Sequence, residues 1–315
     1  MSQHKDTLRD YVMTFLKGAG MGAADVVPGV SGGTIAFITG IYERLLSAIR
    51  SVNLTAFKVL KKSGIKALWQ HIDGNFLVAV FGGLALSALS LAKVITYLLA
   101  NHQTFVWSFF FGLIIASFLH IAKQLENWDI KTVIACIIGT LIAFTITSLA
   151  PAEANASWWY YFVAGAIAIC AMILPGISGS FILLLLGMYG HVLSAVTSFD
   201  LPLIGLFLAG CVVGLMTFSH FLGWLLARFR DVTFALLAGF LFGSLNLLWP
   251  WKQVVTTYTN SKGIEKPLSQ TNIGPETYHI LTGQDPQTLI CFALAMAGLG
   301  LILAIEKLTA DKPKG

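Results

Sequence analysis

The 315-residue chain is 56% hydrophobic and only 11% charged, whereas soluble domains are about 25% charged. This composition excludes an ordinary soluble protein and predicts a single integral membrane domain. The formal net charge of +5 does not indicate nucleic-acid binding, because the basic residues cluster in short loops beside apolar segments, as membrane topology requires. Four cysteines lie inside apolar segments without metal-ligand spacing, so we expect buried thiols, no bound metal and no cofactor.

Residues 1–17 mix charged and apolar residues and have no apolar stretch that ends in a small-residue cleavage site. The segment therefore does not have the pattern of a signal peptide. Its apolar residues recur at helical spacing. This predicts an N-terminal cytoplasmic helix, which lies either along the membrane surface or in solvent.

Six unbroken apolar segments follow, each near the length of roughly 20 residues that a membrane-spanning helix needs. They cover approximately residues 76–99, 104–123, 131–149, 203–227, 232–250 and 288–306. Two other apolar segments, near 18–49 and 158–196, contain proline and several glycines, and each precedes one trio of spans. The chain is thus predicted to be an all-α polytopic membrane protein. Each half has one re-entrant broken-helix hairpin and three transmembrane helices.

The two broken segments carry the same motif, VVPGVSGGTIAFITGIYE at 26–43 and ILPGISGSFILLLLGMYG at 173–190. Matches at helix-breaking residues are hard to obtain from apolar composition alone, so the halves are predicted to be internal repeats, 18–150 and 151–306, before a tail, 307–315. An offset of 147 pairs Pro28 with Pro175, Gly29 with Gly176, Ser31 with Ser178, Gly32 with Gly179 and Tyr42 with Tyr189; a weaker offset of 127 pairs Gly83 with Gly210 and Gly112 with Gly239.

The orientation follows from counting crossings. If each broken segment enters and leaves on one side, each half crosses the membrane three times, so the second repeat is inverted relative to the first. Lysine and arginine concentrate in the loops on one side of this arrangement, which predicts that both termini are cytoplasmic. The long loop 251–287 is then extracytoplasmic, and we assign it no function.

The breaks themselves predict a binding site. Irregular backbone at membrane depth is tolerated only inside protein or beside a wet cavity. Amides at a restarted helix, with the positive end of the helix dipole behind them, form an anion site, and inverted repeats with broken helices are a transporter signature. The alternative is that the breaks are kinks that only allow close helix packing. The candidate residues are Ser31, Gly32, Gly33 and Thr34 in the first copy and Ser178, Gly179 and Ser180 in the second.

Two acidic residues near the first break are candidates for ion coupling. Asp25 precedes Ser31 by six residues, roughly 9 Å of helix, so it is expected at membrane depth. Its counterpart in the second repeat is Met172. An acid in only one repeat suits coupling to a proton or cation or pairing with a lysine, and access to water from a loop is the alternative. Glu43, on the exit arm of the first hairpin, is the second candidate.

Four basic residues are candidates for guiding an anion. Arg44 aligns with His191, and Lys93 aligns with His220. Arg44 and Lys93 are also long enough to extend to the membrane surface. A histidine within the membrane has the alternative of bonding a neighbouring carbonyl.

Taken together, GAADVVPGVSGGTIAFITGIYERLL and MILPGISGSFILLLLGMYGHVL resemble the bacterial membrane family once labelled domain of unknown function 368, which is associated with polyprenyl-phosphate transport. The resemblance covers nearly the whole chain. It implies a flippase in the bacterial cytoplasmic membrane that returns undecaprenyl phosphate from the outer to the cytoplasmic leaflet, where this carrier lipid is reused in cell-envelope synthesis. If the ligand is such a lipid, its phosphate is expected between the two breaks, with hydroxyls from Ser31 and Ser178 and with charge added by Arg44, Lys93, His191 or His220.

Other functions stay open at this point. A transporter of a small soluble anion would share every feature except the place for a lipid tail. A membrane lipid-phosphate enzyme would need a nucleophile or metal beside an acid–base pair, and no HExxH motif or carboxylate cluster occurs. The protein is therefore interpreted as a non-enzyme whose partners are the lipid and the bilayer, with proton coupling, sodium coupling and homo-oligomer formation left open.

Overall fold

A computed structural model of the chain describes residues 6–27, 30–152, 157–259 and 265–310. Within these ranges the protein is almost entirely helical, as predicted. The helices are α1 (Leu8–Asp25), α2 (Gly32–Ile38), α3 (Tyr42–Ser51), α4 (Leu54–His71), α5 (Gly74–Asn101), α6 (Gln103–Ala122), α7 (Ile130–Ser148), α8 (Trp158–Ile173), α9 (Gly179–Leu185), α10 (Tyr189–Thr197), α11 (Leu201–Arg228), α12 (Arg230–Ser244), α13 (Pro275–Thr282) and α14 (Thr288–Ala310).

Six helical segments among the described residues are long and apolar enough to cross a membrane. Each lies within a few residues of a predicted span, so the expectation of a multi-pass membrane protein is confirmed. They are Gly74–Asn101, Gln103–Ala122, Ile130–Ser148, Leu201–Arg228, Arg230–Leu248 and Thr288–Lys307.

The two broken segments each form three helices. In the first, α1 ends at Asp25 and α2 begins at Gly32; Pro28 and Gly29 lie outside the described residues. In the second, α8 is followed by α9 and α10, which are bent by 108° relative to each other. Helix α1 runs without interruption across residue 17, so the predicted boundary between an N-terminal helix and the first repeat does not coincide with a break in the helix.

The first helix of each half packs closely on the first long span that follows. A Cβ atom at Gly83 of α5 would overlap the carbonyl oxygen of Phe15 in α1, and a Cβ at Gly210 of α11 would overlap that of Phe162 in α8. The glycines are related by the 127-residue offset and the phenylalanines by the 147-residue offset. Equivalent residues therefore make the same contact between helices in both halves, which supports the assignment of internal repeats.

The remaining spans pair across the two halves. Gly112 and Gly298 bring α6 against α14, and Gly139 and Gly239 bring α7 against α12, each with a backbone carbonyl where a Cβ would stand. Helices α6 and α12 also contact each other. The last two spans of each half are thus packed against those of the other. Their buried side chains, such as Leu237 and Leu241, share one cluster with residues of the first broken segment.

The long loop contains ordered structure that the sequence did not predict. Strands β1 (Lys252–Thr259) and β2 (Glu265–Asn272) pair antiparallel, and α13 follows. The indole nitrogens of Trp249 and Trp251 donate to the carbonyls of Ile273 and Pro286 at 2.8 and 2.9 Å. These bonds hold the hairpin and the following segment against the end of α12.

Candidate functional site

The two breaks contact each other inside the protein. The hydroxyl of Thr34, at the start of α2, accepts a hydrogen bond from the backbone amide of Gly176 at 3.0 Å. The hydroxyl of Ser31 lies 3.3 Å from the carbonyl oxygens of both Met172 and Leu174. Polar groups freed at one break are therefore satisfied by the other, as backbone away from water requires. We call this contact the junction.

Gly33 and Tyr42 complete the junction. A Cβ atom at Gly33 would lie 2.8 Å from the carbonyl oxygen of Ile173, so only glycine permits this approach. The Tyr42 hydroxyl donates to the same carbonyl at 3.1 Å. The end of α8 is thus held by both α2 and α3.

The amides at the start of α2 already have acceptors. Asp25 accepts from the amide of Gly32 at 2.6 Å, the Ser31 hydroxyl accepts from Gly33 at 3.1 Å, and the Ser31 carbonyl accepts from Thr34 at 2.9 Å. The expectation that these amides are free is wrong for this conformation. The protein's own carboxylate stands where an anion was expected.

Asp25 is also closer to the second helix than its sequence separation suggested. The chain reverses after α1, so the carboxylate touches Gly32 and does not lie 9 Å away along a continuous helix. Its second oxygen, Oδ2, is buried and has no hydrogen-bond partner among the described residues. A buried carboxylate oxygen without a donor is costly, which makes this the chemically least satisfied group of the junction.

The second break is built differently. Ser178 and Ser180 hydrogen-bond each other at 2.9 Å, and no side chain caps the start of α9. Gly176 has a φ of +85° and its Cβ position lies 2.9 Å from the Phe240 carbonyl oxygen, so both torsion and space require glycine. A Cβ at Gly179 would lie 2.8 Å from the carbonyl oxygen of Ala168, and α9 therefore packs closely on α8.

A cavity of about 250 Å³ runs along the junction. Its wall is formed by residues of α1, α2, α3, α5, α8 and α11, and the surface that faces the cavity is almost entirely apolar. The lining residues are Met21, Asp25, Gly33, Tyr42, Leu45, Leu46, Ile49, Phe81, Leu84, Ile169, Met172, Ile173 and Leu215.

Three of the predicted basic residues lie outside this cavity. Arg44 forms ion pairs with Asp73 at 2.7 Å and Asp6 at 2.6 Å, so its charge is compensated within the protein. Lys93 is exposed on α5, and the exposed His220 has its Nδ1 2.7 Å from the Met216 carbonyl of its own helix. The structure does not bring these three residues together with the junction.

The two remaining candidates lie on the outer arms of the hairpins. His191 is partly buried on α10 and is not among the residues that line the cavity. Glu43 is exposed, and its carboxylate lies 3.7 Å from Arg230. Neither residue contacts the junction through a hydrogen bond that the structure describes.

Arg50 is a candidate that the sequence analysis did not single out. It follows the cavity-lining Ile49 at the end of α3, and its guanidinium packs where a side chain at Gly223 of α11 would stand. Its Nε is buried without a hydrogen-bond partner, and the described residues place no carboxylate within ion-pair distance. In the sequence, Arg50 is one of several basic residues in a loop, and the predicted membrane orientation already accounted for their positive charge.

The described residues contain no cluster of three histidine, cysteine, aspartate or glutamate side chains that could hold a metal ion. All four cysteines are free thiols, and Cys291 is buried while the other three are partly buried.

The chain is similar to proteins of one family. Residues 21–266 match the family described as VCA0040-like, undecaprenyl phosphate translocase-like. A polyprenyl-phosphate transporter of Vibrio cholerae serotype O1 is 49% identical over 298 residues, which are 95% of this chain and 97% of that protein. A polyprenyl-phosphate transporter of Staphylococcus aureus is 33% identical over 256 residues, 76% of this chain and 86% of that protein. No solved structure matches the chain.

The family match includes both broken segments and the cavity between them, and the Vibrio cholerae relative is similar along nearly the whole chain. The protein therefore belongs to the undecaprenyl phosphate translocase-like family.

Proposed function

We propose that this protein is a flippase that moves undecaprenyl phosphate from the outer to the cytoplasmic leaflet of the bacterial inner membrane, for reuse in envelope synthesis. Both named relatives are polyprenyl-phosphate transporters. The predicted orientation, with both termini cytoplasmic and the two repeats inverted, is part of this proposal. So is the assignment of the re-entrant breaks as the place where the phosphate passes.

The cavity is the observation that carries the proposal. A lipid monophosphate has a compact anionic head on a long apolar tail, so its site needs an apolar wall that ends at polar groups. The cavity has an apolar wall that includes Phe81 of α5 and Leu215 of α11, and Asp25 and Gly33 of the junction are among its lining residues. We place the tail beside Phe81 and Leu215 and the head next to the junction.

The head group requires a rearrangement of the first break. While Asp25 accepts from Gly32, no anion can take that amide, and two negative groups at this distance repel. We propose that phosphate displaces the carboxylate, which then takes up a proton, so that phosphate transfer and proton movement are coupled at Asp25. Arg50, which follows the cavity-lining Ile49, supplies positive charge at the edge of the cavity, and Ser31, Ser178 and Ser180 supply hydroxyl donors at the junction. The amides of Gly33, Thr34 and Gly179 complete the proposed set.

Alternating access is supported by the unequal burial of the two hairpins. Tyr42 and Leu46 of the first hairpin are each 4% exposed, whereas their counterparts Tyr189 and Leu193 are 41% and 47% exposed. Two repeats of similar sequence in different packing states can exchange those states and open the site to each side in turn. The structure then represents one of the two end states.

The test is leaflet transfer of labelled undecaprenyl phosphate in proteoliposomes, with release of inorganic phosphate measured in the same vesicles. Wild-type protein is compared with a Gly32→Leu, Gly179→Leu double variant, in which both breaks are obstructed. The matched control is Gly190→Leu, Gly205→Leu, where an added Cβ meets no atom within 4 Å. Transfer by the wild type and control, with the phosphate intact, supports the proposal. Absence of transfer at every imposed proton and sodium gradient contradicts it, and phosphate release would indicate an enzyme.

A further inference from the structure

Helix α4 is a peripheral element, and its lysines belong to the basic loop that indicates the orientation of the chain. It spans Leu54–His71, and Ala56 is its one buried residue. Asn53 caps its first turn by accepting from the amides of Thr55 and Ala56 at 2.8 and 3.3 Å. The start of the helix is therefore stabilised by a side-chain cap, although the helix contributes little to the protein interior.

The exposed surface of α4 combines basic and large apolar side chains. Leu54 is 82%, Phe57 59%, Ile65 75% and Trp69 42% exposed. Between Leu54 and His71 there is no aspartate or glutamate, so the lysines have no local counter-charge. The four exposed lysines are Lys58, Lys61, Lys62 and Lys66.

The end of α4 is fixed at the point where α5 begins. The Trp69 indole nitrogen donates to the Asn75 side chain at 2.8 Å, and its ring occupies the space above Gly74, the first residue of α5. Helix α5 is one of the apolar helices long enough to span a membrane, so the C-terminal end of α4 lies at the start of a candidate span. Gly64, with a φ of +77°, interrupts the helix and allows its two halves to tilt separately.

We propose that α4 lies in the membrane interface and binds the head groups of anionic phospholipids. Basic side chains beside exposed aromatic and aliphatic residues are the pattern of helices that lie in this interface. The lysines attract the anionic surface, while Phe57, Ile65 and Trp69 enter the boundary between head groups and acyl chains. An acidic soluble protein would satisfy the lysines but would leave three large apolar side chains to be covered separately.

The test uses the full-length chain in lipid nanodiscs, with a nitroxide at Ile65→Cys after the four native cysteines are replaced by serine. The depth of the nitroxide is measured by its collision rates with oxygen and with a water-soluble nickel chelate. We expect a deeper nitroxide in an equimolar mixture of phosphatidylcholine and phosphatidylglycerol than in phosphatidylcholine alone. Changing Lys58, Lys61, Lys62 and Lys66 to glutamine should remove this difference.

A control variant removes four scattered basic residues, Arg9, Lys131, Arg228 and Lys307, by the same change to glutamine, and should keep the lipid dependence. Raising the salt concentration on the labelled protein with its lysines intact should also remove the difference, because salt screens surface charge; this measurement remains if the lysine variant does not fold. A nitroxide that is water-accessible in both lipid compositions overturns the proposal. A phosphatidylglycerol response that survives loss of the lysines overturns it too.

Discussion

The two hairpins have the same motif but differ in how much of them is covered. Tyr42 is 4% exposed and its counterpart Tyr189 is 41% exposed, although both stand at the same place in the repeat. Both hairpins break at the same positions because they share the motif. The burial of each hairpin depends instead on how it packs against the rest of the protein. The proposed alternating access requires this separation.

The junction shows a second, chemical difference. The first break has Asp25 where the second has Met172, and Gly33 where the second has Ser180. In consequence, the first break carries a carboxylate on its own amide and touches the opposite backbone, while the second carries a pair of hydroxyls. The first repeat is therefore the chemically specialised half of the junction.

The largest effect is expected from Gly33→Ser, which gives the first break the residue of the second. The new Cβ would lie 2.8 Å from the Ile173 carbonyl oxygen, so the two breaks must separate. Overpacking of this kind lowers the free energy of unfolding by about 3 kcal/mol, and transfer should be lost. Denaturation in detergent and the proteoliposome assay measure these two outcomes.

The reciprocal Ser180→Gly change adds no atoms and serves as the control. It removes the Ser178–Ser180 hydrogen bond and places a glycine in α9, so we expect a smaller loss of stability, about 1 kcal/mol. Equal loss of stability in both variants would mean that the two breaks are packed alike.

Asp25→Met is expected to have the next largest effect, because it also makes the first break resemble the second. It leaves the Gly32 amide without its acceptor, and an unsatisfied buried donor lowers stability by about 2 kcal/mol. Asp25→Asn keeps an acceptor and should lose less stability, but it cannot carry the coupled proton. Its transfer rate should be indifferent to an imposed pH gradient, and a retained gradient response would exclude Asp25 as the coupling group.

Thr34→Val tests the hydrogen bond between the breaks. The Thr34 hydroxyl accepts from the Gly176 amide, and this contact is fully buried, so valine leaves the amide unpaired. We expect a loss of about 1–2 kcal/mol in chemical denaturation. Thr39→Val is the matched control, since the Thr39 hydroxyl donates only to carbonyls of its own helix. Similar losses of stability for both variants would show that the hydrogen bond between the breaks stabilises the fold no more than a hydrogen bond within one helix.

The smallest change in stability is expected for the two arginines of α3. Arg44→Gln removes ion pairs with Asp6 and Asp73 that are partly exposed, which contribute at most about 1 kcal/mol. Arg50→Gln removes a charge that has no carboxylate within ion-pair distance among the described residues, so stability should hardly change while the apparent affinity for undecaprenyl phosphate falls. Titrating transfer rate against lipid concentration separates the two effects. A normal affinity for the Arg50 variant would remove this residue from the proposed site.

Much of this architecture follows from the sequence. Twenty-residue apolar segments have few alternatives to a transmembrane helix, and the PG-x-SG motifs place both breaks within a few residues of where the described helices end. The offsets also anticipated contacts between distant helices, since Gly83 and Gly210 use the same partner position in each repeat. These features depend on local composition and on repetition, both of which a sequence displays directly.

The chemistry of the site was harder to predict. The contact of Asp25 with Gly32 depends on a chain reversal whose geometry the residue spacing does not give. The compensation of Arg44 requires Asp73, which is 29 residues away. Arg50 resembled any other basic residue beside a membrane span, because the absence of a nearby carboxylate is a property of the folded chain.

The exchange of partners between the halves also constrains how the protein is made. Spans α6 and α7 of the first half pack on α14 and α12 of the second, through the backbone contacts at Gly112 and Gly239. A chain synthesised from its N-terminus must therefore hold two helices in the bilayer before their partners have been translated. Each half, expressed alone, would keep its glycine surfaces unmatched, and two fragments expressed together in one cell could still assemble.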